Sequence, residues 1–496
     1  MERRPDATEE LVVEARIESV RGHGGGLVWA PCLISVALAG LSYAHIADPA
    51  TNDFERFEDL RLTFAFFALF LLWIAWWIAL ATNAELQQRL ARRWWPVFFL
   101  TSMPLLFSFP VGSRDVFAYA FYGKMWAVYG IEPARTPPTA LAQDSWFPML
   151  QAWWKEGAAG YGPLFLLQTR LIGWLSGESL TAAVALYKLV NLSLLLGSVF
   201  LVIALSGEGP ATRDPGHLLA RDGRPVEAIL WATNPLVLFE SLSSAHNDLA
   251  MAVLVLAALR SWRQGAGGQA AMWWTLSVWF KWYSIVLLPF WLIAWWRRDG
   301  TPRMLRALWR AGAASLAATV MVLLPFGDAA WEILGKPATI EVGARLMPTE
   351  FPPTLWLLFE FLVVRAPWPF EAGRFLFDGA RYTLLFAGWG LLLWRQWSRT
   401  YCFELLVRDF CLAILLLFGF AVTVLWPWHL LLPSALAVIL HGGLARAAVV
   451  TISVIGLLSY FLTFPLASVA VLAGAAYFWV RERGSCGRVF SGKAQL

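Results

Sequence analysis

Polar side chains that could carry chemistry interrupt an otherwise apolar stretch, residues 107–126. Ser113, Arg114 and Asp115 follow an apolar run and open a second helical pattern. One stripe of that helix carries Asp115, Tyr119, Tyr122, Trp126 and Tyr129. A carboxylate can take a proton from a hydroxyl, and neighbouring aromatic rings can stack on a sugar. Asp115 also suits the positive end of a helix dipole behind a Ser113 N-cap, so a purely structural role stays open.

Three further polar groups interrupt apolar segments later in the chain. They are His246-Asn247-Asp248, Lys281 within residues 270–296, and His429 after Trp-Pro-Trp. A cation such as Lys281 can hold a phosphate and stabilise it as a leaving group. Each group has a simpler explanation: Asp248 as an N-cap, Lys281 as a snorkelling side chain, and His429 as part of an interfacial belt.

The elements that must position these groups are membrane helices. The chain has 496 residues, is 58% hydrophobic, and contains apolar runs of spanning length from end to end. The backbone must satisfy its hydrogen bonds inside the bilayer, so we predict an all-α polytopic bundle. We expect about 13–14 transmembrane helices, with interfacial helices on the outer face. The net charge of +5 lies in loops, where it indicates topology and not a nucleic-acid partner.

Basic loops predict how the chain is arranged across a plasma (inner) membrane. Residues 1–26 and 481–496 are predicted to be cytoplasmic, which makes both termini cytoplasmic. Residues 27–480 form a single multi-pass domain, with a long outer segment at 111–179 and an outer loop at 327–353. This arrangement places Asp115, His246, Asn247, Asp248, Lys281 and His429 together on the outer side. The basic residues alone set the arrangement, so the grouping of the polar residues is an independent result.

Some segments leave alternatives open. Residues 270–296 form either one helix with Lys281 in its middle or a hairpin that turns at 280–282; the hairpin satisfies the positive-inside rule. Pro235 should kink the span at 226–242. The apolar stretches 164–175 and 354–365 are short for spans. Lys188 and Glu240 also lie in or near apolar spans, where an ionisable group needs a cavity or a partner.

Motifs for other chemistry are absent from the sequence. It contains no P-loop, Rossmann fingerprint or HExxH motif. The cysteines have no metal-ligand spacing and suggest no disulfide framework; they are Cys32, Cys402, Cys411 and Cys486. No acidic pair marks a metal site, so we expect no cofactor, and a divalent metal is not indicated.

Six short blocks occur in a fixed order between residues 94 and 440. They are Phe107-Ser108, Ser113-Arg114-Asp115-Val116-Phe117, Tyr161-Gly162-Pro163-Leu164-Phe165, Asn234-Pro235-Leu236-Val237-Leu238-Phe239-Glu240, Ala245-His246-Asn247-Asp248 and Trp426-Pro427-Trp428-His429. In this order they resemble the GT-C superfamily of polyprenyl-phosphate-sugar-dependent glycosyltransferases. The closest resemblance is to actinobacterial α-1,6-mannosyltransferases that use polyprenyl-phosphomannose.

The resemblance implies an inverting transferase with its active site on the outer face, where Asp115 is the general base. Two features depart from the family pattern. Asp115 follows the third span, so two helices precede the usual core, and His429 stands where relatives often have Tyr. We expect Lys281 and Arg114 to contact the donor phosphate. The other residues expected to line the substrate site are Tyr119, Tyr122, Tyr161, His246, Asn247, Asp248 and His429.

The predicted function is transfer of a hexose, with mannose favoured by the resemblance, from a polyprenyl-phosphate donor lipid to a glycan or glycolipid acceptor. The expected partners are these two substrates and the lipid bilayer. Two alternatives stay open. One is a transporter or flippase of lipid-linked sugars, which would favour internal repeats and broken helices at the midplane. The other is the same chemistry with glucose or arabinofuranose.

Overall fold

The computed structural model describes residues 26–44, 60–206, 226–335, 360–365, 367–421, 425–440 and 442–460. Regular secondary structure within these ranges is helical, with no strand among them. The prediction of an all-α fold is therefore confirmed. The predicted cytoplasmic tail, nearly all of the N-terminal segment and residues 336–353 of the predicted outer loop lie outside the described residues.

Seventeen α-helices lie within the described residues. In chain order they are α1 (Ala30–Ala44), α2 (Leu60–Thr82), α3 (Ala84–Ala91), α4 (Trp94–Phe107), α5 (Asp115–Ala127), α6 (Ala152–Glu156), α7 (Pro163–Ser176), α8 (Leu180–Ser206), α9 (Val226–Ala232), α10 (Pro235–Leu238), α11 (Asp248–Arg263), α12 (Gly267–Phe280), α13 (Leu288–Leu323), α14 (Phe370–Ser398), α15 (Phe403–Phe420), α16 (Leu431–Val438) and α17 (Gly443–Leu458). Short 3-10 and π-helical turns join several of them.

Several helices are long and apolar enough to cross a membrane. Within the described ranges, four segments meet that standard: Gly26–Tyr43, Arg61–Thr82, Leu180–Ser206 and Ala307–Gly335. Shorter apolar helices lie at Trp94–Phe107, Pro427–Val438 and Ala445–Leu458. These helices fit an all-α membrane protein, whereas the count of 13–14 spans stays a prediction. The described part of the predicted outer loop, 327–335, is largely helical.

Two close helix contacts fix the elements around residue 115. A Cβ atom on Gly173 of α7 would lie 2.3 Å from the carbonyl oxygen of Gly123 in α5. A Cβ atom on Gly162, just before α7, would lie 2.1 Å from the carbonyl oxygen of Trp279 in α12. Only glycine allows backbones to approach this closely. Helix α7 is thereby packed between α5 and the end of α12.

The segment 270–296 is a hairpin, and the alternative of one unbroken helix is wrong. Helix α12 ends at Phe280, Lys281 is extended (φ −152°, ψ 124°), and a 3-10 turn, Trp282–Leu287, leads into α13. The hydroxyls of Ser277 and Ser284 lie 2.7 Å apart across the turn. Helix α12 has 14 residues, so it is about 21 Å long at 1.5 Å per residue.

The predicted kink at Pro235 is confirmed. Helix α9 ends three residues earlier, and α10 begins at Pro235 itself. The side-chain oxygen of Asn234 accepts hydrogen bonds from the two backbone N–H groups that follow the proline. Its amide nitrogen donates to the hydroxyl of Ser453 at 2.8 Å. The kink is therefore held by tertiary contacts as well as by the missing N–H of proline.

Candidate active site

Asp115 begins α5, and its carboxylate faces the protein interior. The backbone N–H of Asp115 donates to Ser113 Oγ at 3.1 Å, although Arg114 and not Ser113 stands at the N-cap position of the helix. The carboxylate nevertheless has partners of its own: Trp154 Nε1 donates to Oδ1 at 2.8 Å, and the Tyr119 hydroxyl to Oδ2 at 3.4 Å. The residue is only 4% exposed. A surface cap would point to solvent, so the helix-dipole explanation does not account for this carboxylate.

Burial raises the pKa of the Asp115 carboxyl above its usual value. The hydrogen bond from Trp154 and the positive charge of Lys281 act in the opposite direction and offset only part of this effect. A raised pKa brings a carboxylate closer to the range in which it accepts a proton efficiently. The environment of Asp115 thus suits a general base.

Tyrosines form one wall beside Asp115. The Tyr119 and Tyr161 hydroxyls lie 3.5 Å apart, and their rings meet edge to face at 5.3 Å. Tyr122 is buried, and its hydroxyl has no hydrogen-bond partner among the described residues. The tyrosine rings therefore pack against one another beside Asp115, and the Tyr122 hydroxyl is the one that has no hydrogen bond within the described residues. Arg114 is half-buried at the start of the same helix.

Lys281 is buried and forms an ion pair. Its Nζ lies 2.7 Å from Asp248 Oδ2 and 3.3 Å from Asn247 Oδ1. The ammonium also lies 6.0 Å from the ring centre of Tyr161 and 5.4 Å from that of Tyr283. The snorkelling explanation is wrong, because a snorkelling lysine would extend to the interface. We expected a partner for this cation, and the structure provides a carboxylate.

Asp248 is not the N-cap of α11. Asn247 stands at that position, has a helical backbone (φ −81°, ψ −7°) and makes no side-chain cap. The carboxylate of Asp248, fully buried, is instead used by Lys281. The simpler explanation for Asp248 is therefore wrong, and its role is electrostatic.

The loop before α11 has a constrained backbone. A π-helical turn, Phe239–Ser243, precedes it, and Ala245 has a positive φ of 58°, which non-glycine residues seldom adopt. The Asn191 amide of α8 donates to the carbonyl oxygens of Ser241 and His246, both at 2.9 Å. These contacts fix the backbone of the loop at His246.

His246 lies between two carboxylates. Its Nδ1 is 3.8 Å from Asp115 Oδ2, and its Nε2 is 3.5 Å from Glu240 Oε2. The ring stacks on Trp428, with centroids 3.8 Å apart and planes at 17°. Burial and the charge of Lys281 lower the pKa of His246, so the ring is neutral. Neither ring nitrogen has a hydrogen-bond partner among the described residues.

His429 is buried and joins the same cluster. The backbone N–H of Trp426 donates to its Nδ1 at 3.3 Å, which places the proton of the neutral ring on Nε2. That Nε2 lies 3.4 Å from the Tyr283 hydroxyl. The interfacial-belt explanation is wrong, because the side chain faces the interior, where it stacks on Phe418.

Four residues of this cluster were not predicted as site residues. They are Trp154, Glu240, Tyr283 and Trp428. The sequence indicated that Glu240 needs a cavity or a partner, because it is a charged residue in an apolar span, but it did not indicate which partner. Trp154 gave no signal, because its contact with Asp115 joins residues 39 positions apart. Within the described residues, no three His, Cys, Asp or Glu side chains group as a metal site.

Ion pairs away from the cluster connect α5 to residues further along the chain. Lys124 Nζ lies 2.7 Å from Asp144 and 2.7 Å from Glu178. Burial alone would raise the pKa of Asp144, but hydrogen bonds from Lys124 and Tyr129 lower it below its usual value. These pairs hold residues 124–178 in a compact unit around α5.

Comparison with known proteins relates this chain to one family. The family model "Alpha-(1->6)-mannopyranosyltransferase, N-terminal domain" matches residues 28–297, which contain every predicted site residue except His429. A probable alpha-(1->6)-mannopyranosyltransferase of Mycolicibacterium smegmatis is 30% identical over 208 residues, 41% of this chain and 34% of the relative. The alpha-(1->6)-mannopyranosyltransferase A of Mycobacterium tuberculosis is 29% identical over 246 residues, 48% of this chain and 43% of the relative.

The aligned part of the chain thus spans less than half the length of each of these relatives. The family model, in contrast, covers more than half of the present chain. The chain belongs to the alpha-(1->6)-mannopyranosyltransferase family.

Proposed function

We propose that this protein is a membrane mannosyltransferase. It moves mannose from a polyprenyl-phosphate donor to a glycan or glycolipid acceptor on the extracytoplasmic side, with inversion and with Asp115 as general base. One observation carries the proposal: Asp115, His246, Lys281 and His429 come from four separate segments and meet in one buried cluster. The family supports mannose as the sugar.

The proposed reaction has one displacement. The acceptor hydroxyl attacks the anomeric carbon, and Asp115 takes the hydroxyl proton. The bond between the sugar and the phosphate oxygen breaks, and the phosphate keeps the electron pair. Trp154 and Tyr119 hold the carboxylate in position, because each donates to a different oxygen of Asp115.

Lys281 is the proposed contact for the donor phosphate. An ammonium group has three N–H donors, and the contacts with Asp248 and Asn247 use two of them. Among the described residues the third has no partner, and we assign it to a phosphate oxygen that gains charge as the sugar leaves. In this arrangement Asp248 holds the cation in place between turnovers, and no metal ion is required for the leaving group.

The test is an assay of purified protein in detergent. The donors are polyprenyl phosphates of mannose, glucose and arabinofuranose, and the readout is released polyprenyl phosphate, with and without EDTA. We expect release from the mannose donor, unchanged by EDTA, and release slowed by about 10²–10⁴ in the Asp115→Asn variant. Intact donor that crosses vesicle membranes with no release would reject the transferase in favour of a transporter. Release from another donor only would reject mannose.

The outer location of the site is a further part of the proposal. Arg135 in the outer segment pairs with Asp328 at 3.2 Å and Glu332 at 2.9 Å, which groups these segments at one end of the bundle. Ala142 and Thr400 are exposed on segments predicted to face opposite sides. In intact cells lacking the native cysteines, an impermeant thiol reagent should label Ala142→Cys and not Thr400→Cys. The reverse pattern would overturn the orientation.

A further inference from the structure

An apolar cavity lies between α12 and α13, apart from the cluster around Asp115. Its volume is about 170 Å³, and its lining includes Trp262, Trp274, Trp291, Trp295, Ala271 and Gly312. Leu288 and Leu292 also line it and are 38% and 36% exposed, so the cavity opens at the surface of the bundle. Apolar cavities of about 150 Å³ stay dry and bind hydrocarbons. In a bilayer, the hydrocarbon at such an opening is a lipid chain.

Three helical segments enclose this cavity, because α13 contains a turn at Gly300, whose φ is 68°. Residues on both sides of the turn lie at the start of α12. A Cβ atom on Gly267 would lie 2.7 Å from the ring of Trp295. A Cβ atom on Gly268 would lie 3.6 Å from the carbonyl oxygen of Arg310. The chain therefore reverses direction at Gly300. The candidate active site lies at the other end of α12, where the hairpin turns.

Positive charge collects at this end of the cavity. Residues 297–310 include five arginines and one acid, Asp299. Arg298 contacts the cavity wall: its Nη1 donates to the carbonyl oxygen of Trp262 at 2.9 Å, and its guanidinium lies 4.7 Å from the centre of that ring. Its Nε is 3.5 Å from Asp299 Oδ1. Arg310 is exposed and has no ion pair among the described residues. A single carboxylate therefore leaves an excess of positive charge beside an apolar cavity.

This combination matches the chemistry of an anionic phospholipid. Its acyl chain is apolar, and its headgroup phosphate accepts charge-assisted hydrogen bonds from guanidinium groups. Basic pockets between transmembrane helices bind such headgroups. The other hydrocarbon available to this protein is the tail of a polyprenyl-phosphate donor, which carries no charge at its far end. The arginines thus favour the phospholipid as the occupant.

We propose that the cavity between α12 and α13 binds an anionic phospholipid of the leaflet at the arginine end of the bundle. One acyl chain lies against the tryptophan rings, and the headgroup phosphate contacts Arg298 and Arg310. The positive-inside rule predicts that this end is cytoplasmic. A lipid bound here contacts α12 and both halves of α13, and it stabilises the folded protein because it binds only that state. The site goes beyond the proposed function, since it does not take part in sugar transfer.

Thermal unfolding of the purified full-length protein in an uncharged detergent tests the site. The added probes are phosphatidylglycerol, phosphatidylcholine with the same acyl chains, inorganic phosphate and polyprenyl phosphate. We expect phosphatidylglycerol to raise the Tm in a saturable way and phosphatidylcholine to raise it less. Inorganic phosphate should have no effect. Added salt should weaken the effect of phosphatidylglycerol, because salt screens the attraction between phosphate and guanidinium.

Cavity variants test the place of the acyl chain. A Cβ atom on Gly312 would meet no atom within 4 Å, so Gly312→Leu has room and takes up space at the cavity. This variant should lose the rise in Tm with phosphatidylglycerol. Gly390→Leu in α14 is the matched control, because a Cβ atom there also meets nothing within 4 Å and the residue is outside the cavity. Ala271→Leu, on α12, repeats the test if Gly312→Leu does not fold.

Charge variants test the place of the headgroup. Arg310→Gln should weaken the apparent affinity for phosphatidylglycerol about fivefold, the usual contribution of one basic residue beside an anionic lipid. The weaker effect of phosphatidylcholine should not change. Arg92→Gln removes an exposed arginine from another loop predicted to lie on the same side, and it should bind phosphatidylglycerol normally.

Four results would overturn the proposal. An equal rise in Tm with phosphatidylcholine would reject recognition of the anionic headgroup. A rise with inorganic phosphate that persists in Gly312→Leu would mean an anion site without a lipid chain. A rise with polyprenyl phosphate alone, lost in Gly312→Leu, would assign the cavity to the tail of the donor. An unchanged response to phosphatidylglycerol in both Gly312→Leu and Ala271→Leu would place the lipid elsewhere.

Discussion

Two buried lysines, Lys188 on α8 and Lys281 after α12, show how differently the same residue type is used. They are 2% and 7% exposed. Lys188 donates to the carbonyl oxygens of Leu105 and Ser108, at the end of α4. Lys281 instead contacts the carboxylate of Asp248 and the amide oxygen of Asn247.

The different partners indicate different roles: Lys188 stabilises the fold, whereas Lys281 is the proposed contact for the substrate. Backbone carbonyls surround Lys188, so its charge stabilises the end of α4 and the turn that leads to Asp115. Lys281 has a side-chain counterion and a spare N–H donor, and it lies beside tyrosine rings. A cation held by a side-chain partner can exchange it for a ligand, whereas one held by helix-end carbonyls cannot do so without disturbing the fold.

The largest expected effect concerns the carboxylate of Asp115. Asp115→Asn keeps the size of the side chain and one of its two hydrogen-bond acceptors but removes its basicity. Turnover should fall by about 10²–10⁴, the usual contribution of a positioned base. Rapid-quench assays of polyprenyl phosphate release measure the rate, and donor binding should be almost unchanged. Near-normal turnover by a folded variant would mean that Asp115 is not the base and only stabilises the start of its helix.

Lys281→Met should weaken donor binding and slow transfer by roughly 10–100-fold. A hydrogen bond to a charged group contributes about 1.5–3 kcal/mol, which corresponds to that range. The apparent affinity for acceptor should change little, and Lys281→Arg should recover part of the loss. Donor titration and initial rates measure these effects.

The control for Lys281→Met tests the effect of leaving the Asp248 carboxylate without its cation. The double variant Lys281→Met with Asp248→Asn removes both charges of the pair. It should recover any lost stability but not the donor affinity. If the double variant binds donor normally, the single variant failed through an unpaired Asp248, and Lys281 is not the phosphate contact.

Lys188→Met should show the opposite pattern. Loss of the ammonium leaves buried carbonyl oxygens at Leu105 and Ser108 without this donor. The expected cost is about 1–3 kcal/mol of unfolding free energy, with normal donor affinity in the folded protein. Thermal unfolding in detergent and donor titration measure the two quantities. Weaker donor binding at unchanged stability would place Lys188 in the substrate site.

The smallest effect concerns pH. Burial raises the pKa of Asp115, and the charge of Lys281 limits that rise. A base acts in its ionised form, so transfer should decline as pH falls through this raised pKa. Lys281→Met should move the decline to higher pH, whereas Lys188→Met should leave it in place. A pH profile of single-turnover rates tests this prediction. If the profile of Lys281→Met does not shift, a group other than Asp115 controls the pH dependence of transfer.

Much of the fold was predictable from local chemistry. Apolar runs of spanning length, which must form helices in a bilayer, predicted the all-α architecture. Proline lacks an N–H group, which predicted the interruption at Pro235. The positive-inside rule favoured a hairpin at residues 280–282, and the helix does break at Lys281. Each of these signals depends on residues adjacent in sequence.

The grouping of Asp115, His246, Lys281 and His429 was also predicted, because helices that cross a membrane alternate sides. Their partners were not. The contacts of Asp115 with Trp154, of Lys281 with Asp248, and of Glu240 with Tyr460 join residues 39, 33 and 220 positions apart. Such pairs depend on helix packing, for which side-chain sequence carries no local signal.

The sequence by itself therefore determined which residues are ionisable inside an apolar chain, and that such residues need partners. The positions of basic loops placed Lys281 with the other predicted site residues, but the sequence gave no contact partner for either Lys188 or Lys281. Only the tertiary structure placed one against helix-end carbonyls and the other against a carboxylate and aromatic rings. The physical reason is that the surroundings of a buried charge, set by distant segments, decide what that charge can do.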